Sequence, residues 1–333
     1  MKKFFLISLG VILFLLFVVV LLWFFVPRKI PNVLISSNYS KTNSNNYIRN
    51  ENFLDKSDDC VAIWNTRLFI PCITVWEKDG ARRTVYGVNK FMLDNGYLYY
   101  LDGNSLYRMS IDTGASDVVM DPVYDFYVHN NNLVYISGVE GRFLFQNFST
   151  GQKKEIAEDV YCFWVNGDLI YYVGETNREL VVYSLNTGVV DSFNTSYTVN
   201  PYYDDLYFYE DTVVHFDDIS DSINILNLNS FQEKDISLFG EPIPDQNHIR
   251  IAVNDKYLYL SFQKRNSSGS VVWNVSDLET NGLWCIDLES GEKKRISEKT
   301  FDSLFVTDSH LFGITPLQEL YSVDLKTFIV TKE

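Results

Sequence analysis

Seven carboxylates, Asp204, Asp205, Glu210, Asp211, Asp217, Asp218 and Asp221, fall within eighteen residues that contain no lysine or arginine. Carboxylate oxygens at this density can ligate a hard cation, and a calcium ion near Asp217, Asp218 and Asp221 is the chemistry they suggest. The D-x-[DN]-x-[DN]-G order of a calcium loop, with its later glutamate, is absent. A solvated acidic rim is therefore the expectation and a cation site the alternative. Paired glycosidase carboxylates are defined by their separation in space, and no pair stands out along the chain.

Other chemistry is sparse. His129, His215, His248 and His310 show no HxH, HExxH or Cys/His ligand spacing, so neither a metal centre nor another cofactor is expected. There is no G-x-S-x-G elbow, and Ser267-Ser268-Gly269-Ser270 lies in a polar stretch without a hydrolase context. No catalytic residue is assigned. The cysteines are Cys60, Cys72, Cys162 and Cys285. A hairpin with a three-residue loop at Asn65–Arg67 would set Cys60 opposite Cys72, near disulfide range. A bond between them is one expectation and two buried thiols the other.

A repeat organises the chain around these residues. A turn followed by an apolar run recurs at Asn65-Thr66-Arg67-Leu68, Asn95-Gly96-Tyr97-Leu98, Asn131-Asn132-Leu133 and Asn166-Gly167-Asp168-Leu169. It returns at Asp204-Asp205-Leu206, Asn254-Asp255-Lys256-Tyr257-Leu258 and Asp308-Ser309-His310-Leu311. A second turn follows each, as at Asp112-Thr113-Gly114, Asn186-Thr187-Gly188 and Glu289-Ser290-Gly291. Between the turns lie short runs rich in Tyr, Phe, Val, Leu and Ile, the residues that suit a pleated, half-buried surface. Asn-Gly and Thr-Gly suit the tight turns of antiparallel hairpins.

Four strands per unit, repeated seven times, predict an all-β fold: a β-propeller of seven four-stranded blades. The blades fall at 57–88, 89–122, 123–159, 160–196, 197–238, 247–299 and 300–333, with Cys60–Trp64, Leu68–Ile73, Thr74–Lys78 and Arg82–Tyr86 as the expected strands of blade one. Six or eight blades remain open, because the first hairpin of blade five can turn at Asp204-Asp205 or at Glu210-Asp211. Trp64, Trp76, Trp164 and Trp284 fall in predicted strands, where packing between blades is their expected role. The LYY…LY…D…TG units over 57–333 resemble those of bacterial, membrane-anchored β-propeller proteins of the TolB-like kind. That resemblance implies the fold and a tendency to bind ligands or proteins, and it transfers no catalytic residue.

The other end of the chain is a different physical object. Residues 4–26 carry no charge and Ser8 is their one polar side chain. As a helix they would reach about 35 Å, enough to cross a hydrocarbon core of about 30 Å. The run ends in WFFVPRK with no small-residue cleavage site, which predicts an uncleaved signal-anchor rather than a secretory signal. The expected organisation is a short cytoplasmic tail (1–3), a transmembrane helix (4–26), an Asn/Ser-rich flexible tether (27–56) and the propeller (57–333). The last of these is expected outside a bacterial cell membrane.

Charge narrows the partners. Of 28 Lys and Arg, four lie within residues 1–29, which leaves 24 against 43 Asp and Glu, a net −19, beyond the apolar run. Such a surface is repelled by phosphate backbones, so nucleic acid is not an expected partner. The short turns all emerge at one end of the blades, which makes that end plain. The long connections emerge at the other: Phe239–Asn247 between blades five and six, and Gln263–Asp277 within blade six. Loops on a rigid scaffold commonly carry recognition. Trp273 is the candidate aromatic anchor, with Lys264 and Arg265 as donors and Asp245 and Asp277 as acceptors. The expected function is a membrane-tethered, non-enzymatic binding module for a protein, peptide or glycan. An extracellular lyase or hydrolase and an envelope-assembly or signalling scaffold are the alternatives.

Overall fold

Period-two alternation between turn residues dictates short antiparallel strands, and those strands are what a computed structural model of the chain contains. It describes residues 54–333 apart from 58–59, 68–69, 78–79, 81, 139–140, 175–179, 194–205, 210, 218–221, 231, 239–247, 264–280 and 316–318, together with 11–15, 17, 34, 36 and 37. Blade one is β1 (Leu54–Lys56), β2 (Cys60–Arg67), β3 (Ile70–Glu77) and β4 (Arg82–Tyr86). Blade two is β5 (Val88–Asp94), β6 (Tyr97–Asp102), β7 (Ser105–Ser110) and β8 (Ser116–Met120). Blade three is β9 (Val123–His129), β10 (Asn132–Ser137), β11 (Phe143–Asn147) and β12 (Lys153–Ala157). Blade four is β13 (Val160–Asn166), β14 (Leu169–Gly174), β15 (Leu180–Ser184) and β16 (Gly188–Phe193). Blade five is β17 (Leu206–Tyr209), β18 (Thr212–Asp217), β19 (Ser222–Asn227) and β20 (Gln232–Ser237). Blade six is β21 (His248–Val253), β22 (Tyr257–Gln263), β23 (Gly282–Asp287) and β24 (Lys293–Ser297). Blade seven is β25 (Ser303–Val306), β26 (His310–Ile314), β27 (Leu320–Asp324) and β28 (Val330–Lys332). Each sheet is an antiparallel meander of its own four strands, so no strand is shared between blades.

Seven blades settle the count, and Tyr209 paired with Thr212 selects the turn at Glu210-Asp211 in blade five. Blade one departs from expectation. Its first strand is Leu54–Lys56, within the stretch assigned to the tether, and residues 70–77 form one strand rather than two. Arg67 pairs with Ile70, so two residues rather than three separate β2 from β3. Cys60 consequently faces Glu77 and Cys72 faces Asn65. Five positions along a strand are about 17 Å, far beyond the reach of a disulfide. Of the two expectations for this pair, the structure has the two buried thiols.

The recurring turns are explained by one hydrogen-bonded module. The side chain ending the third strand of a blade accepts the N–H groups of the following turn. Asp287 Oδ1 takes Ser290 N at 2.8 Å and Ser290 Oγ at 3.0 Å, and Asp324 Oδ1 takes Thr327 N at 2.8 Å and Thr327 Oγ1 at 3.0 Å. Asn147 and Asn227 do the same for Thr150 and Ser230. The next residue then donates its N–H to a carbonyl of the first hairpin turn. Ile111 bonds Gly96 O, Phe148 bonds Asn131 O, Leu185 bonds Asp168 O, Leu228 bonds Asp211 O, Leu288 bonds Lys256 O and Leu325 bonds Ser309 O, at 2.6–3.0 Å. Both turns of blades two to seven are therefore tied together at one end of the ring. Asn95 and Gly96, at φ +46° and +77°, show why asparagine and glycine recur there.

These caps give a pH dependence. Hydrogen bonds from Ser290 and Thr327 hold the Asp287 and Asp324 carboxyls below the usual range. A depressed folded-state pKa contributes stability above the unfolded value of about 3.9 and loses it as pH falls toward the folded value. The thermal midpoint should therefore fall as pH drops below the unfolded value of about 3.9. D287N/D324N, which keeps the accepting oxygens, should flatten that part of the profile in calorimetry.

The core lies between blades rather than within one sheet. Trp164, Tyr135, Tyr259, Phe91, Phe126, Phe143 and Phe312 are fully buried, and an apolar cluster runs from Met92 in blade two to Leu228 in blade five. Charged side chains also join the blades. Lys90 is 2% exposed and pairs with Asp125 of blade three. The Asp55 carboxylate accepts Leu93 N of blade two at 2.6 Å, and Asp94 accepts Asn130 N of blade three at 3.2 Å. Nearer the rim, Arg83 donates to the carbonyls of Ile111 and Asp112 in blade two. Lys234 donates to those of Leu288 and Glu289 in blade six, at 2.8 and 2.6 Å. Among the described residues no helix is long and apolar enough to cross a membrane. Residues 11–15 and 17 of the apolar run are described and helical, and the remainder of 4–26 lies outside the described residues.

Candidate functional site

The two ends of the ring differ in what they offer a ligand. At the plain end, turn N–H groups and carbonyls are consumed by the caps and ties just described. The opposite end carries the long connections, and strand register shows where they attach. His248, at the end of the 239–247 connection, pairs with Gln263, where the 264–280 segment begins. Phe262 pairs with Gly282, where that segment ends. In the adjoining blade Asp217 pairs with Ser222 across residues 218–221. The inner strands β17 and β21 pack side by side, and Tyr207, Tyr209 and Val214 share one apolar cluster with Ile249, Ile251 and Leu260. Three connections, 218–221, 239–247 and 264–280, thus attach at one end of two neighbouring blades.

Asp245, Lys264, Arg265, Trp273 and Asp277 lie outside the described residues, as do Asp218 and Asp221. Asp217 closes β18. Among the described residues no group of three or more His, Cys, Asp or Glu is gathered where it could hold a metal ion.

What the structure adds is the platform beneath these loops, which the sequence pattern did not single out. Ser261 is buried and clamps the crossover from blade six to blade seven: its hydroxyl donates to Phe301 O at 3.0 Å and accepts Phe301 N at 2.7 Å. Arg250 Nε donates to Asp302 O on the same crossover at 2.8 Å. A lone arginine in the apolar run HIRIAV and a lone serine in YLYLSF were the available signals. Gly282, at φ +129°, opens β23, and an added Cβ would lie 2.2 Å from Ser297 O. Both ends of the 264–280 segment are therefore rooted in fixed backbone.

The described side chains near this platform are not primed for covalent chemistry. Burial, with the Asp287 charge adding to it, pushes the Cys285 thiol up to about 12, the opposite of what a nucleophilic thiolate needs. Burial likewise raises the Tyr259 hydroxyl, with Cys285 contributing. One serine–histidine–aspartate grouping occurs at the plain end of blade seven. Ser309 Oγ lies 2.9 Å from His310 Nδ1, while His310 Nε2 stands 3.9 Å from Asp324 Oδ2. That last separation exceeds a hydrogen bond, and Asp324 Oδ1 is committed to its turn. The grouping stabilises a turn rather than forming a catalytic triad.

The family described as outer membrane protein assembly factor BamB matches residues 107–191, from β7 to β16. No curated protein is matched. Among solved structures, the computationally designed protein Ika8 is 12% identical, with 90% of this chain and 88% of that one covered, at a TM-score of 0.54. Hsv2 of Kluyvelomyces marxianus is 10% identical, covering 84% of this chain and 95% of that one, at 0.51. A chain of a mitotic checkpoint complex is 10% identical, covering 89% and 95%, at 0.54. At such identities the likeness shows the fold alone.

Proposed function

We propose that this β-propeller is a non-enzymatic interaction module that binds a protein partner through the loops of blades five and six. The observation that carries this is the attachment of three connections, two of them long, at one end of adjoining blades, above backbone fixed by Ser261, Arg250 and Gly282. A peptide or a glycan is the alternative ligand in this proposal. In this proposal the module is tethered to a bacterial cell membrane through residues 4–26 and faces outward. Support for the tether comes from the apolar run itself and from Val11–Leu15 and Phe17, helical residues left 53–64% exposed. The match to an outer membrane protein assembly factor over 107–191 supports a second form of the proposal, a scaffold in envelope assembly.

A full-length chain in which 263–281 is replaced by a two-residue Asn-Gly hairpin separates these. Loss of an identified partner in pull-down, with the thermal midpoint kept, is the expected result. Trp273→Ala alone should weaken that partner about tenfold or more, as aromatic anchors do. Full retention of the partner in both variants would overturn the loop site and move the interface to a blade edge.

A further inference from the structure

We infer that Leu34 and Ser37 form a clasp that seals the ring at the seam between blades seven and one. Nothing in the strand order closes this ring, because the first and last blades are each built from their own consecutive strands. The seam is instead an apolar cluster of Leu54 and Val61 from blade one with Phe305, Phe312, Ile314 and Leu320 from blade seven. Leu34 belongs to that cluster and is 0% exposed. Ser37 is buried as well, and Ser309 Oγ donates to its hydroxyl at 3.5 Å. Leu34 thus gives an apolar side chain to the seam, and Ser37 gives a hydroxyl to the adjoining hairpin of blade seven.

This changes the length of the connection to the N-terminal apolar run. From Val26 to the first blade at Leu54 the chain could span about 95 Å if extended, but from Val26 to Leu34 it reaches only about 27 Å. With the clasp closed, the seam of the propeller stays within that shorter distance of the end of the run. The clasp stands on the seam contacts alone, and only the stand-off from a bilayer rests on the membrane tether proposed above.

The test uses the full chain in detergent micelles. S37C/S309C should cross-link under mild oxidation, giving a species of altered mobility on non-reducing gels and a raised thermal midpoint. Leu34→Asp should lower the midpoint by about 5 °C or more, and adding it to S37C/S309C should abolish the cross-link. A folded S37C/S309C chain that fails to cross-link, or a Leu34→Asp chain with an unchanged midpoint, overturns the clasp. Alkaline extraction of the parent chain from membranes reports separately on the tether. Release there, with the cross-link still forming, overturns the tether and leaves the clasp in place.

Discussion

Asp125→Ala should destabilise the propeller by about 3–5 kcal/mol, whereas Lys90→Met/Asp125→Leu should stay within about 1 kcal/mol of the parent. The contrast follows from where the pair sits. Lys90 is 2% exposed, its Nζ lies 5.8 Å from the centroid of the Phe126 ring, and the carboxylate it meets also accepts Phe126 N at 2.7 Å. Removing the carboxylate alone leaves an ammonium group in a site from which water is largely excluded. Removing both charges in favour of apolar side chains of similar volume gives up the Coulomb attraction and the desolvation cost together. Chemical denaturation of the single and double variants measures the difference. A cost below about 1 kcal/mol for Asp125→Ala would mean that the blade two–blade three interface does not depend on the pair.

Gly282→Ala should cost about 3 kcal/mol or more, the largest effect expected of a single methyl group among the described glycines. The added Cβ meets the backbone carbonyl of Ser297 at 2.2 Å and Glu298 Cα at 3.2 Å, atoms that cannot rotate aside as a side chain would. The backbone at φ +129° is itself disfavoured for any residue with a Cβ. The strain falls where β23 leaves the 264–280 segment, so partner binding should weaken along with stability. Gly96→Ala is the control: its Cβ would meet nothing within 4 Å, so only the turn preference is lost. Thermal melts of the two variants that coincide would refute the steric account.

The sequence made the blades legible because their pattern is local. Turn, strand and cap all lie within one unit, so periodicity located blades two to four, six and seven to within a few residues. The first strand of blade five begins at Leu206, nine residues after the expected start. Blade one failed for a physical reason. Its inner strand is Leu-Asp-Lys, three residues with two charges and no alternation to detect, and it is buried because Asp55 reaches Leu93 N of the next blade. With that strand absorbed into the tether, four strands had to come from the remainder, and residues 70–77 were divided. The misplaced hairpin then aligned Cys60 with Cys72. Asn281-Gly282 shows the same limit of local pattern. It reads like the turns at Asn95-Gly96 and Asn166-Gly167, yet Gly282 is paired in a strand. At the candidate site, loop lengths and attachment were legible, since they depend on counting between turns. Ser261 and Arg250 were not, because their partners at Phe301 and Asp302 lie 40 and 52 residues away.

The self-contained blades also set the order of events during synthesis. Each sheet can pair as soon as its own strands have emerged, and neighbouring blades can cover one another in turn. The outward face of blade one has no such neighbour. Leu54 and Val61 meet Phe305 and Phe312 only after the last blade has been made. At about 5–20 residues per second the stretch from Tyr86 to Ser303 takes roughly 10–40 s. For that interval a patch destined to be dry has no more than Leu34 to cover it, which leaves it open to a chaperone or to aggregation.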